Sequence, residues 1–261
     1  GRHRRQPWFE CACCPPNIAR LIASLPGYFY STSTEGIWVH LYASSTAHIT
    51  LGNNDVTIIQ HTDYPWSGEV KIEVNPRRED EFSIFLRIPS WCEKASVFLN
   101  QKPLSVEARP GTYLEIRKSW HEGDTIKLVM PMEIKLIASH PHVTYNTDRV
   151  AIKRGSIVYC IEQTDNLGYD VWDLVIPSDA KLTARYDPNL LNSVVVIEGE
   201  AFVLDRSPWD GHLYLPIDKV QLKMKPAKFV AIPYYAWANR EPGPMIVWIR
   251  TIDKKYHLIL S

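Results

Sequence analysis

Three cysteines lie within four positions near the start of the chain and give its most specific chemical signal. Cys11, Cys13 and Cys14 are followed directly by Pro15-Pro16. The deprotonated thiol is the form of cysteine that attacks carbon and binds metals. Two prolines favour a helix start, and the positive end of a helix favours a thiolate. The arrangement indicates a reactive or metal-binding cysteine group, and three small buried side chains are the structural alternative.

Spacing alone leaves the metal hypothesis incomplete. Zinc takes about four ligands at about 2.0–2.3 Å, so two or three thiolates here would need further ligands from elsewhere. The common zinc spacing, with two residues between cysteines, is absent. Neighbouring side chains on a regular strand point to opposite faces, so a bend before a helix is needed to bring adjacent sulfurs to one ion.

A short amphipathic helix is predicted directly after the cysteines. Ile18, Leu21, Ile22 and Leu25 follow the spacing of one helical face, and Pro26-Gly27 ends the pattern. About ten residues are marginal for an isolated helix in water, so this apolar face is expected to lie against something. We interpret it as the last helix of a larger helical body.

The hydrophobic period changes to two after about residue 36. Apolar and polar residues alternate over residues 37–42, 70–74, 82–88 and 114–117, with polar turns between. A second set of such segments begins near Val150 and includes a predicted hairpin at Arg154-Gly155. Short alternating strands of this kind are typical of antiparallel sandwiches. Their number exceeds one small sandwich, so the sequence predicts a mainly β fold with two antiparallel β-sandwich domains.

Composition excludes several classes of protein. The 29 basic and 29 acidic residues give a net charge of zero, which argues against a nucleic-acid partner. No apolar stretch approaches the roughly 20 residues of a membrane helix. The odd number of cysteines favours reduced thiols and a cytoplasmic location.

The chain has no initiating Met, so an upstream start is expected. The basic cluster Arg2-His3-Arg4-Arg5 is interpreted as a solvated end.

The run from Trp8 to Leu21 resembles the cysteine-rich signature of glycoside hydrolase family 127, the β-L-arabinofuranosidases, and its sister families. Its centre reads Cys11-Ala12-Cys13-Cys14-Pro15-Pro16-Asn17. Weaker similarities to sandwich motifs and to the C-terminal stretch of these enzymes lie at residues 87–91, 120–126, 233–240 and 245–248. Together they extend the resemblance over nearly the whole chain.

The resemblance implies a domain organisation. Residues 1–30 would be the C-terminal remnant of an (α/α) helical toroid that carries the catalytic site. Residues 31–137 with 235–261 would form the first β-sandwich, and residues 138–234 would form a second, inserted one. A homodimer through one of the sandwiches would also be compatible with this family.

The resemblance also implies a mechanism. It is retaining hydrolysis of L-arabinofuranosides or related sugars, with Cys13 as nucleophile and zinc ligand and Cys14 as a second zinc ligand. Cys11 matches a cysteine with no assigned direct role. The remaining zinc ligands and the acid/base glutamate lie upstream of the motif in the family, and Glu10 matches none of them. The isolated chain is therefore expected to fold without hydrolysing glycosides.

Two other functions stay open. The first is a non-catalytic carbohydrate-binding or dimerisation sandwich with structural cysteines. The second is a thiol-redox protein, which is disfavoured because the two-residue cysteine spacing and a βαβ pattern are absent. His140-Pro141-His142 is interpreted as a polar linker between the two strand sets in preference to a metal site.

Overall fold

The computed structural model describes residues 4–8, 10–220 and 222–253, and its strands confirm the mainly β fold class. The chain divides into two compact units. We call residues 7–132 the N-terminal unit, and residues 4–6 with 133–253 the C-terminal unit. Among the helices of the described residues, none has the length and apolar character needed to cross a membrane.

The N-terminal unit begins with the predicted helix and continues as two sheets. The helix α1 (Cys14–Ser24) passes into a 3₁₀ turn (Leu25–Tyr28). The strands that follow are β1 (Tyr30–Thr32), β2 (Gly36–Val39), β3 (Ser45–Leu51), β4 (Asn54–Thr62), β5 (Glu69–Pro76), β6 (Asp80–Arg87), β7 (Ser96–Leu99), β8 (Lys102–Pro103), β9 (Tyr113–Trp120) and β10 (Asp124–Val129).

These strands pair in the orders β1-β2-β6-β9 and β3-β4-β5-β10-β7-β8. Alternate residues from both sheets meet in one core, which includes the fully buried Ile37, Ile58, Ile84 and Ile126. The period of two that predicts the strands is therefore the pattern that fills this core. The sequence predicts antiparallel sheets, but one pair of strands in this unit is parallel: β2 runs parallel to β6.

The turn before β10 is held by a buried carboxylate. Asp124 accepts hydrogen bonds from Asn100 Nδ2 and Lys118 Nζ, both at 2.6 Å, and from the backbone N–H of His121 at 2.8 Å. Burial opposes ionisation of this carboxyl, but the bonds from Asn100 and Lys118 outweigh it and lower the pKa of Asp124 to about 2. Ionised Asp124 thus ties the β9–β10 turn to the β7–β8 turn.

This carboxylate predicts acid sensitivity of the N-terminal unit. The folded pKa lies below the unfolded value of about 3.9, so the stabilisation is complete above about pH 5 and is lost as the pH falls towards 2. Asp124→Asn should remove about 2 kcal/mol of unfolding free energy at pH 7 and flatten this acid limb. Urea unfolding at a series of pH values measures both effects. The exposed neighbour provides the control Glu122→Gln, and an unchanged acid limb in Asp124→Asn would contradict the prediction.

The C-terminal unit is built around one continuous set of strands. They are β11 (Ile134–Ala138), β12 (Arg149–Arg154), β13 (Ile157–Glu162), β14 (Leu174–Pro177), β15 (Leu182–Asp187), β16 (Val194–Leu204), β17 (Met224–Pro233), β18 (Met245–Ile246) and β19 (Trp248–Ile252). The pairing order is β11-β12-β19-β14-β16-β17-β13-β18, with β15 on β16. An additional β12–β13 pairing closes the path on itself around a second core.

The structure corrects the predicted domain boundaries. Residues 235–253 do not join the first sandwich, because β19 pairs with β12 and, in parallel, with β14, while β18 pairs with β13. The N-terminal unit ends at Met132, because the next strand, β11, pairs along its length with β12 of the C-terminal unit. Alternating apolar residues predict where a strand lies but not which distant strand pairs with it, which explains why the predicted and observed boundaries differ. Residues 254–261 lie outside the described residues.

The His140-Pro141-His142 segment consequently joins β11 to β12 within one unit, so its interpretation as a linker between two domains is corrected. The two imidazole rings lie edge to face at 5.0 Å between centroids. The backbone N–H of His142 also donates to Nδ1 of His140 at 3.2 Å.

The first described residues contact a loop of the C-terminal unit that we call the aromatic loop (residues 234–241). Arg5 donates to backbone carbonyls of this loop, and Arg4 pairs with Glu241 at 2.6 Å. Arg4 and Arg5 are exposed, as the interpretation of this cluster as a solvated end predicts, and they also make these surface contacts with the loop. Gly1, Arg2 and His3 lie outside the described residues.

Candidate active site

The cysteine motif forms the entry to α1. Cys13 is the residue before the helix, with φ −73° and ψ −35°, and Cys14 is its first residue. The carbonyl of Cys13 accepts from both the backbone N–H and the side-chain amide of Asn17, at 3.4 and 3.0 Å. These bonds close the first turn, and Pro15 supplies the φ that a helix start requires. Both thiols are exposed at this end.

The sulfur atoms of Cys13 and Cys14 lie 3.7 Å apart. Two thiolates bound to one tetrahedral zinc at about 2.3 Å have sulfurs about 3.8 Å apart, so this pair fits two adjacent corners of such a site. Cys13 already has helical backbone angles, so the two adjacent side chains leave the first turn without a bend between them. The first turn contains no acidic residue, so the positive end of the helix faces the two sulfurs without a competing carboxylate.

The described residues do not complete a metal site. No cluster of three or more His, Cys, Asp or Glu side chains suited to a metal ion occurs within residues 4–8, 10–220 and 222–253. Cys11 is exposed in the turn before the helix, and it does not form a three-ligand metal site with Cys13 and Cys14. The pair therefore has the donor chemistry for two positions of a zinc site.

The two remaining cysteines have a different character. Cys92 and Cys160 are each 1% exposed and belong to the cores of the two units. Burial raises the pKa of the Cys160 thiol to about 12, so it stays protonated at neutral pH. No disulfide joins any of the five cysteines. Among them, the exposed group at the helix start is the one accessible to a substrate or metal.

The apolar face of α1 is not covered by the described residues. Ile18, Leu21 and Ile22 are 58%, 57% and 64% exposed, and no residue of the helix is buried. The sequence predicts this face correctly as a helical stripe, but the expected packing partner is absent from residues 4–8, 10–220 and 222–253. The helix therefore adds no buried side chain to the core of the N-terminal unit.

Comparisons with known proteins assign this architecture. Residues 36–132 match the middle domain of the GH127 β-L-arabinofuranosidases, and residues 134–250 match the C-terminal domain of glycoside hydrolase family 127. The fold and these matches thus define the chain as a mainly β portion of a glycoside hydrolase, with a cysteine motif before its first sheet. The chain belongs to glycoside hydrolase family 127.

Individual relatives agree with this assignment. The chain is 35% identical over 260 residues to a non-reducing end β-L-arabinofuranosidase of Bifidobacterium longum subsp. longum, covering 94% of this chain and 38% of that protein. A GH127 β-L-arabinofuranosidase from Geobacillus stearothermophilus T6 superposes with a TM-score of 0.88 at 42% identity, over 97% of this chain and 39% of that one. A further GH127 β-arabinofuranosidase gives 0.84 at 30% identity, over 97% and 40%. The chain thus spans about two-fifths of the length of these relatives.

The exposure of α1 predicts that its apolar residues add little to the stability of this chain. Ile22→Ala should change the unfolding free energy by no more than about 0.5 kcal/mol, as is usual for a surface position. The same substitution at the fully buried Ile84 should cost about 2–5 kcal/mol. Urea unfolding of the two variants compares identical chemistry at an exposed and a buried site, and equal losses would contradict the structure.

Proposed function

We propose that this chain forms part of a retaining, zinc-dependent β-L-arabinofuranosidase in which Cys13 is the nucleophile. The observation that carries the proposal is the exposed Cys13–Cys14 pair, with sulfurs 3.7 Å apart at the start of a helix. Membership of family 127 supports the reaction class, and the β-L-arabinofuranosidase activity of the named relatives supports an arabinofuranoside as substrate.

In this proposal the thiolate of Cys13 attacks the anomeric carbon as the glycosidic C–O bond breaks, and the departing oxygen takes a proton from the acid/base glutamate supplied by the rest of the enzyme. Water then attacks the same carbon and gives its proton to that glutamate as the C–S bond breaks, which releases the sugar with net retention. Cys13 is suited to this role because its sulfur is exposed and lies at the positive end of α1. The hydrogen bonds from Asn17 to its carbonyl fix the backbone from which the thiol projects.

Zinc is the cofactor that fits the donor pair. Cys13 and Cys14 would hold it through their sulfurs, and the bound cation would keep the thiol of Cys13 deprotonated at neutral pH. The remaining ligands and the acid/base glutamate would come from the portion of the family enzymes that this chain does not match. We propose that α1 is the C-terminal remnant of their helical toroid and that its apolar face packs there.

This division of the active site predicts that the 261-residue chain alone does not turn over an aryl β-L-arabinofuranoside. Two ligands in place of about four should also hold zinc loosely. Turnover by the isolated chain that Cys13→Ala abolishes would overturn this part of the proposal.

A chimera tests the nucleophile directly. We would join the part of the Bifidobacterium longum relative that this chain does not match to the present chain, and assay the product on an aryl β-L-arabinofuranoside. Cys13→Ala should lower kcat by a factor on the order of 10³ or more, because it removes the attacking atom. Cys14→Ala should lower the zinc content measured by elemental analysis.

The motif itself supplies the control. Cys11→Ala should leave kcat within a few-fold of the parent chimera, because Cys11 has no assigned direct role and is not a member of the sulfur pair. Equal losses in Cys11→Ala and Cys13→Ala, or full activity in Cys13→Ala, would contradict the proposed roles.

A non-catalytic carbohydrate-binding module is the second candidate, and a groove in the C-terminal unit favours it. The groove is open, has a volume of about 1570 Å³ and lies over strands β15, β16 and β17. Its wall contains the small residues Gly199, Ala201 and Ala227 and charged residues that include Lys181 and Glu200. Arabinan binding that survives replacement of all three N-terminal cysteines by Ala would favour this function. A homodimer through a β-sandwich and a cytoplasmic location stay predictions.

A further inference from the structure

We infer that Arg20 is a positioning residue for Cys13 and that it acts through the side-chain amide of Asn17. Asn17 Nδ2 donates to the carbonyl of Cys13 at 3.0 Å, and Arg20 Nη1 donates to Asn17 Oδ1 at 3.1 Å. The three residues occupy positions i, i+4 and i+7, which lie on one side of a helix. Two consecutive hydrogen bonds therefore connect the guanidinium of Arg20 to the backbone of the proposed nucleophile.

The first turn of α1 cannot be closed by a capping side chain in the usual way. Such a side chain accepts from the N–H of the second or third helical residue, and here these residues are Pro15 and Pro16, which have no N–H. The first backbone bond of the helix, from the N–H of Asn17 to the carbonyl of Cys13, is long at 3.4 Å. The side-chain amide of Asn17 makes the shorter bond to the same carbonyl and so takes over part of the closure.

Arg20 determines which way the amide of Asn17 points. An Asn side chain carries a donor nitrogen and an acceptor oxygen, and a half-turn of the amide exchanges them. A guanidinium can only donate, so it favours the orientation in which the oxygen faces Arg20 and the nitrogen faces the carbonyl of Cys13. In the reversed orientation, two donors would oppose each other at Arg20 and two acceptors at Cys13. Arg20 thus selects the orientation that closes the turn.

The surroundings of Arg20 leave its charged group to this contact. Arg20 is the only charged residue of α1, and the apolar face of the helix is formed by Ile18, Leu21 and Ile22. Among the residues that the structure describes, no carboxylate pairs with Arg20, and the acceptor of its hydrogen bond is Asn17. A paired carboxylate would compete for the guanidinium, so its absence from this part of the chain favours the bond to Asn17.

The consequence concerns the placement of the Cys13 sulfur, and it rests on the proposed function. A nucleophile displaced by about 1 Å can lose about a hundredfold in rate. The turn that Asn17 closes holds the backbone of Cys13 next to that of Cys14, where the two sulfurs lie 3.7 Å apart. Arg20 therefore pre-organises the pair for one metal ion and Cys13 for attack, without touching either sulfur.

Cadmium binding by the full 261-residue chain tests this connection. Cadmium is the probe because it binds thiolates, and every variant carries Cys11→Ala so that Cys13 and Cys14 are the exposed thiols. Asn17→Ala should weaken cadmium binding about tenfold and Arg20→Ala about fivefold, since each removes one hydrogen bond of the series. Ala is the better helix former at both positions, so weaker binding cannot arise from a loss of helix propensity.

A double variant separates action through Asn17 from direct action. Asn17→Ala/Arg20→Ala should bind cadmium no more weakly than Asn17→Ala, because Arg20 has nothing to orient once the amide is removed. Arg20→Lys keeps the charge and a donor group and should recover part of the affinity that Arg20→Ala loses. Ser24→Ala is the matched control on the same side of the helix, because its hydroxyl donates to the carbonyl of Leu21, and it should leave cadmium affinity unchanged.

Unchanged cadmium affinity in Arg20→Ala, or losses that add in the double variant, would overturn the inference. In the chimera, Arg20→Ala should lower kcat about tenfold and leave KM within about twofold, because Arg20 acts on the nucleophile and not on the substrate. A change confined to KM would also overturn it. The proposed function fails separately, through full activity of the Cys13→Ala chimera, and the cadmium titrations do not depend on that assay.

Discussion

Two sulfur atoms held 3.7 Å apart at the start of a helix are the constraint on which the functional account depends. Two thiolates at this distance repel each other, and a shared cation reverses the sign of that interaction. The backbone enforces the distance, because Cys13 and Cys14 are adjacent and Pro15 with Asn17 closes the turn around them. In the proposed function, a bound cation would hold both sulfurs as thiolates and so prepare Cys13 for attack.

The two β units are packed without a contribution from the site helix. Their cores are filled by alternating residues of paired strands, and none of the buried positions lies in α1. The helix instead carries an apolar face that the described residues leave exposed. The chain spans about two-fifths of the length of its relatives, and in the proposed function this face packs against a helical body in the part that the chain does not match. The cores of the units thus leave this face available.

Local patterns in the sequence predict the elements well. The stripe from Ile18 to Leu25 gives α1, and the period of two gives the strands, because both depend on neighbours within a few residues. The partners of β18 and β19 could not be read in this way, since pairing across many residues is decided by the whole core. The parallel pairing of β2 with β6 escaped prediction for the same reason.

The candidate site was predictable in part. The motif identifies Cys13 and Cys14, but the distance between their sulfurs depends on side-chain and backbone angles that the motif does not specify. Outside the candidate site, Arg5 left a signal in the basic cluster at the start of the chain, which resembles any solvated end. Its carbonyl partners lie more than 200 positions away and are backbone atoms, so no side-chain type marks them in the sequence.

The central claim is that Cys13 and Cys14 together bind one zinc ion. X-ray absorption at the zinc edge, on the zinc-loaded chimera, counts the sulfur neighbours of the metal. The account predicts sulfur at about 2.3 Å, with the sulfur count reduced in both Cys13→Ser and Cys14→Ser and unchanged in Cys11→Ser. A shell of nitrogen and oxygen only, or a sulfur count that neither Cys13→Ser nor Cys14→Ser alters, would contradict it.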